Sequence, residues 1–271
     1  MTRLPHRTLI RLAGPDTLSL LERTVTHRVQ DWPEGTLRYG ALLTPQGKII
    51  SDYLVLRTDE GVLLDAHEDA ADDLVKRLKL FRLRAQVEIG VTDLLAAVIR
   101  SDGNADPRSG LLPARGYVPA GDADAAMSPD EWRALRIAAG VPEWGEDYRA
   151  NEVFPTDINM DVMSGVDYKK GCFVGQEVAS RMKRRGKIRK RTLMVHGPAL
   201  EPGADILAAA PVGTVTSVAG EAGLALVRTD RLQKAMAAGA ALTCNGQPVR
   251  FDLPDWAAEE INALASEAAD E

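Results

Sequence analysis

Residues 169–177 read K-K-G-C-F-V-G-Q-E, and they hold the side chains best suited to chemistry in this chain. Cys172 lies between Gly171 and Gly175, which permit tight backbone turns, with Lys169 and Lys170 just upstream. Gly175 can launch a helix whose first turn carries Gln176 and Glu177. A thiol at a helix start beside two ammonium groups has a lowered pKa, because the helix dipole and the cations both favour thiolate. Thiolate is the form that attacks electrophiles and binds metals. A small buried apolar cysteine is the plain alternative, and the lysine–glycine frame argues against it. A second feature follows at once: Arg181, Lys183, Arg184, Arg185, Lys187, Arg189, Lys190 and Arg191 put eight cations into eleven residues. Such a strip is either a solvated helix end and strand edge or a docking site for an anion.

The elements that must position these residues can be read from periodicity and turn chemistry. A strand is expected over His6–Ala13, and a helix opens at Gly14-Pro15-Asp16 with Pro at its first position and Leu18, Leu21 and Val25 on one face. Residues 36–43 and 48–57 read as strands joined by the turn Thr44-Pro45-Gln46-Gly47. A strand over Val62–Ala66, a helix over 68–83 and strands over 87–91 and 94–99 follow. Residues 102–127, rich in Asp, Gly, Pro and Ala, read as loop. Ser128-Pro129-Asp130-Glu131 is a capping-box start for a helix that carries Trp132, Leu135, Arg136 and Ile137 and ends at Gly140. From Arg191 onward the texture is all-β, with an Asn245-Gly246 hairpin turn and a small barrel implied. Residues 257–271 read as a helical or frayed tail. Mixed strands and helices without a βαβ rhythm indicate an α+β class.

Composition bounds the function. With 271 residues and 45% hydrophobic content, the chain can bury a sizeable core in two or three modules. No stretch is apolar enough for a membrane span and no export or transit segment is apparent. Two cysteines, Cys172 and Cys244, cannot form a disulfide framework or an all-cysteine cluster site, so a reduced thiol, a cytoplasmic location and no stably bound metal are expected. The net charge of −6 disfavours a general nucleic-acid binder. A monomer without a membrane partner is the expected state.

K-G-C-F-V-G-Q-E, Lys170 to Glu177, resembles the signature of the YgfZ family, folate-binding relatives of the glycine-cleavage T-protein that assist iron–sulfur cluster assembly. Leu12-Ala13-Gly14-Pro15-Asp16, Tyr39 to Gly47, Arg136 to Gly140, and Val212 to Ser217 resemble further family segments in the same order. The resemblance implies a T-protein-like cloverleaf: an α+β folate-binding core over residues 1–190, split into two modules near 85–95, then a C-terminal β-barrel over 191–256 and a tail over 257–271. It implies a tetrahydrofolate or other reduced folate held by Trp132, Arg136, Asp157, Asn159 and Arg181. Trp132 would stack on the ring system, Arg136 would reach a folate carboxylate, and Asp157 would stand in for the longer acid of a P-x-E-x-N segment. The basic strip could take the polyglutamate tail, an acidic partner or RNA phosphates.

On this resemblance the chain is expected to be an accessory factor for 4Fe-4S enzymes, with clients or cluster carriers as partners. Cys172 is the functional thiol, a redox-sensitive group or transient shared cluster ligand, supported by Lys170, Gly171, Gly175, Gln176 and Glu177. One departure bears on catalysis. T-proteins carry two consecutive aspartates where this chain has Ser51-Asp52, and a hydroxyl cannot stabilise the iminium-like charge of aminomethyl transfer as a carboxylate does. A non-enzymatic or weakly catalytic role is therefore expected over an aminomethyltransferase. A folate-dependent transferase or demethylase and a basic-strip tRNA or protein binder stand as the alternatives.

Overall fold

The computed structural model describes residues 1–99, 103–184 and 188–269. The chain forms two units. The first gathers Met1–Trp132, Arg149–Pro155 and Met160–Ser180; the second gathers Arg133–Tyr148, Thr156–Asn159 and Arg181–Glu271.

In the first unit, β1 (Thr2–Arg3), β2 (Arg7–Ala13), α1 (Thr17–Thr24), β3 (Leu37–Leu43), β4 (Ile49–Arg57), β5 (Gly61–His67), α2 (Glu68–Arg82), β6 (Glu88–Val91), β7 (Leu94–Val98), β8 (Arg115–Pro119) and β9 (Ala125–Ala126) build two sheets. One has the order β3-β4-β5-β2-β6 and the other β8-β7-β1-β9. Ile10, Leu12, Val55, Val62 and Leu64 point into a core that Leu20, Leu21, Leu74 and Leu78 of α1 and α2 close. Each helix contributes the stripe that its 3.6-residue period predicts. Two details differ from the sequence expectation. Pro15 precedes α1 rather than opening it, because Asp16 turns its carboxylate to the Gln86 N–H at 2.8 Å. Within 102–127, β8 forms because Arg115 and Tyr117 have buried partners that the local sequence does not reveal.

Helix α3 (Pro129–Ala138) starts with the expected capping box: Ser128 N–H donates to Glu131 at 2.8 Å, and Glu131 N–H to the Ser128 hydroxyl at 3.2 Å. Helix α4 (Gln176–Arg184) begins directly after the cysteine segment.

The second unit holds β10 (Lys190–His196), β11 (Asp205–Leu207), β12 (Pro211–Ala219), β13 (Ala222–Arg228), α5 (Thr229–Ala237), β14 (Thr243–Cys244), β15 (Gln247–Pro248), β16 (Arg250–Asp252) and α6 (Asp255–Ala269). Its seven-stranded sheet runs β15-β14-β11-β12-β13-β10-β16. The Asn245-Gly246 turn forms between β14 and β15 as expected. The texture after Arg191 is not all-β. Helices α5 and α6 lie within it, and Leu232, Ala257 and Ile261 pack onto Val195, Val215 and Val227.

Candidate functional site

The segment carrying Cys172 is fastened at successive points to the first unit. Thr26 donates its hydroxyl to the Gly165 carbonyl at 2.7 Å and accepts the Ala41 N–H at 2.8 Å. The Asp167 carboxylate accepts the N–H groups of Lys169 at 2.8 Å and Lys170 at 3.2 Å, an Asx turn that shapes the approach to the motif. Lys170 does not stand beside the thiol as a surface cation. Its ammonium donates to the Val25 carbonyl at 2.8 Å and the His27 carbonyl at 2.9 Å, faces Glu22 at 3.9 Å and lies 5.4 Å from the Phe173 ring. Burial lowers its pKa to about 8 against the raising influence of Glu22 and Asp167. Lys170 is thus an anchor, whereas Lys169 is exposed.

Cys172 is exposed and lies four residues before α4. The flanking glycines differ in kind. Gly175 has φ +81, and a Cβ there would meet the Thr44 carbonyl oxygen at 2.5 Å, so the thiol loop seats against the β3–β4 turn through a bare backbone. Gly171 lies outside the left-handed region, and a Cβ would approach only Glu22 at 3.8 Å. Gln176 donates to the Lys170 carbonyl at 3.3 Å and ties the helix start to the loop. Glu177 is exposed. Cys244, by contrast, is buried, and burial raises its pKa.

Three residues that sequence reasoning missed complete this setting. Glu22 and Asp167 flank Lys170. His27 is buried with neither ring nitrogen hydrogen-bonded, edge-on to Trp32 and Tyr53. Burial first, then Lys170 and Arg38, push its pKa well down, so the ring is neutral. Asp167 could have been found from its Asx-turn spacing to Lys169. Glu22 and His27, some 145 residues upstream, carry no such signal.

The residues expected to hold folate fall in two settings. Trp132 is 4% exposed in the first unit, with the Arg115 guanidinium 5.0 Å from its ring centroid. Arg136 is 1% exposed in the second unit. It forms a short hydrogen bond to Asp147 and lies 3.5 Å from both Glu143 and Glu146. Asp147 also accepts from Thr216 and from Ser217, the latter at 2.6 Å. With three carboxylates around it, the Arg136 cation is already matched. Asn159 and Asp157 are both buried. Asn159 donates its amide to the Thr192 carbonyl at 2.7 Å, and the Asp157 carbonyl accepts the Thr192 hydroxyl at 2.9 Å. The Asn159 Oδ1 and Thr156 Oγ1 atoms are buried without a hydrogen-bond partner. Two orphaned oxygens in one segment suit the N–H donors of a pterin ring, so this segment fits a folate.

Of the basic strip, Arg181, Lys183, Arg189 and Lys190 are exposed, whereas Arg191 is 2% exposed and paired with Glu260 at 2.7 Å. Arg185 and Lys187 lie outside the described residues, as does the Arg184 side chain. Ser51 is buried and donates to the Asp52 carbonyl at 3.0 Å, and Asp52 accepts the Tyr39 hydroxyl at 3.1 Å.

Comparison with known proteins bears on this arrangement. Residues 189–259 match the family described as CAF17, C-terminal beta-barrel domain. The chain is 32% identical over 225 residues to an iron-sulfur cluster assembly factor IBA57 homolog, mitochondrial, from Mycosarcoma maydis, covering 70% of this chain and 55% of that protein. It is 29% identical to the Neurospora crassa homolog, covering 71% and 52%, and 27% identical to the Homo sapiens IBA57, covering 94% and 84%. The chain thus spans about half the length of these fungal relatives. Among solved structures, the glycine cleavage system aminomethyltransferase T from Bartonella henselae superposes with TM-score 0.74 at 15% identity, covering 92% of this chain and 84% of that one. The fold is therefore that of the aminomethyltransferase class with a C-terminal β-barrel. The cytoplasmic expectation is corrected: these relatives are named as mitochondrial proteins.

Proposed function

We propose that this chain is a YgfZ-type relative of the IBA57 factors that serves the assembly or maturation of iron–sulfur enzymes, with Cys172 as its working thiol. The observation that carries the proposal is the contrast between an exposed cysteine and the rigid frame beneath it, in which Lys170, Asp167, Gln176 and Gly175 fasten the loop. Such a loop presents one sulfur at a fixed place. A single thiolate cannot hold a 4Fe-4S cluster, so its contact with a cluster is shared with a carrier or client protein that supplies the other ligands. The IBA57 names of the relatives support the same assignment.

Reduced folate is the proposed bound cofactor. Asn159 and Thr156 would accept from its pterin. Arg136 is an unsuitable carboxylate ligand while Asp147, Glu143 and Glu146 hold it. The folate would supply shape and order to the core, and no transfer step is assigned to it, since Ser51 occupies the position of a needed carboxylate.

The test is deletion of the gene followed by assays of several 4Fe-4S enzymes in strains that carry a wild-type or a Cys172→Ala copy. Wild type should restore activity and the Ala copy should not, most visibly under oxidative stress. Full complementation by the Ala copy would sink the assignment of the thiol.

A further inference from the structure

The turn after α2 places a leucine where backbone chemistry asks for glycine. Leu83 has φ 51 and ψ −111, and the Ala85 N–H donates to the Arg82 carbonyl at 2.9 Å, closing a type II′ turn around it. The first central position of that turn is one that glycine takes and a side chain strains. The strained side chain gains no burial in return: Leu83 is 82% exposed, and Leu80, one turn earlier, is 67% exposed. Arg82 and Arg84 flank it, and Arg23 of α1 faces the same open cavity of about 720 Å³. Neither Arg23 nor Arg84 meets a carboxylate among the described residues. Asp16, the acid on the cavity wall, is engaged with the Gln86 N–H. Cations at helix ends are ordinary complements to the dipole, which accounts for Arg23 and Arg82. It accounts neither for Arg84 nor for a leucine held out on a glycine turn, in a chain whose net charge is −6.

We propose that Arg82-Leu83-Arg84, with Arg23 and Leu80, is a docking surface for an acidic segment of a partner protein. An apolar side chain of that segment covers Leu83, and its carboxylates meet Arg23 and Arg84. Two exposed leucines, with no aromatic ring among the residues lining the cavity, favour a polypeptide over a nucleic acid. The surface does not use Cys172, and the proposal stands apart from the assembly reading.

The experiment places a photoreactive benzoyl-phenylalanine at Leu80 of the full chain in cells and maps the crosslinked peptide by mass spectrometry. The expected adduct is a segment in which several Asp or Glu flank a large apolar residue. Its yield should fall on the order of ten-fold in Arg23→Glu/Arg84→Glu, and also in Leu83→Gly. The glycine variant guards against misfolding, because it suits the turn and should melt no lower than wild type. Replacing an acid of the mapped segment by Lys should restore the Arg84→Glu adduct. An adduct on a neutral or basic segment, on RNA or on a second copy of this chain would overturn the proposal, as would no adduct or a yield indifferent to these changes. Cys172 alkylation and iron–sulfur enzyme assays on the same strains separate the two readings: crosslink failure with both unchanged counts against the docking surface alone.

Discussion

At the scale of single residues, the two cysteines should separate cleanly. Cys172 is exposed, while burial both covers Cys244 and raises its pKa. Limited iodoacetamide at neutral pH should therefore label Cys172 first, and peptide mapping would show the reverse order if its exposure were wrong. Lys170 makes a second prediction with a sign. Its amine titrates at about 8 when folded and near 10.5 when free, so below about 8 both states carry the proton and the folded state bears the cost of burying it. Between those values the folded chain has released a proton that the unfolded chain still binds, and stability gains with rising pH. Urea unfolding should show wild type gaining on Lys170→Met across this window by up to about 3 kcal/mol. A constant difference between the two proteins would mean that the amine is not held as described. The variant should be weaker at every pH, since the Val25 and His27 carbonyls lose their donor.

At the scale of elements, the glycines of the thiol loop should answer differently to the same change. Gly175→Ala forces a side chain into a left-handed backbone and against the Thr44 carbonyl at 2.5 Å. A loss of about 1–3 kcal/mol in thermal or urea unfolding is expected, together with a changed Cys172 alkylation rate. Gly171→Ala should stay within about 0.5 kcal/mol of wild type. Local chemistry made the capping box at Ser128, the Thr44–Gly47 turn and the Asn245-Gly246 hairpin legible in the sequence, because each is decided by residues a few positions apart. Strand β8 and the Lys170 anchor were not legible. Their partners, Asp65 and the Val25–His27 carbonyls, lie 50 and about 145 residues away in the chain.

At the scale of the whole molecule, the fold is that of an aminomethyltransferase, but the chemistry of one is not expected. The Ser51 hydroxyl is buried and turned to the Asp52 carbonyl, leaving Asp52 with the Tyr39 hydroxyl. The purified protein should show no tetrahydrofolate-dependent release of ammonia from an aminomethylated carrier, and measurable turnover would reverse that reading. The motif thus pointed to the fold class and to a cysteine that is exposed, while a matched Arg136 and an anchored Lys170 emerged only in three dimensions. The ion lattice beneath Trp132 has a consequence of another kind. Asp65 is shared by Arg7 on β2 and Arg115 on β8, and Arg115 also holds Asp106, which Arg108 grips at 2.8 Å. Burial pushes the Asp65 carboxyl up, and Arg7, Arg115 and Arg108 more than reverse it. Removing either carboxylate takes an anion from two buried guanidiniums at once, whereas each carboxylate keeps a second guanidinium when one arginine is lost. The cluster therefore tolerates change unequally: Asp65→Asn should be strongly disfavoured in a growth selection, Arg115→Met less so, and the double change should be less harmful than the two losses added. Evolution can thin the cations of this lattice one at a time, but its carboxylates only in concert with them.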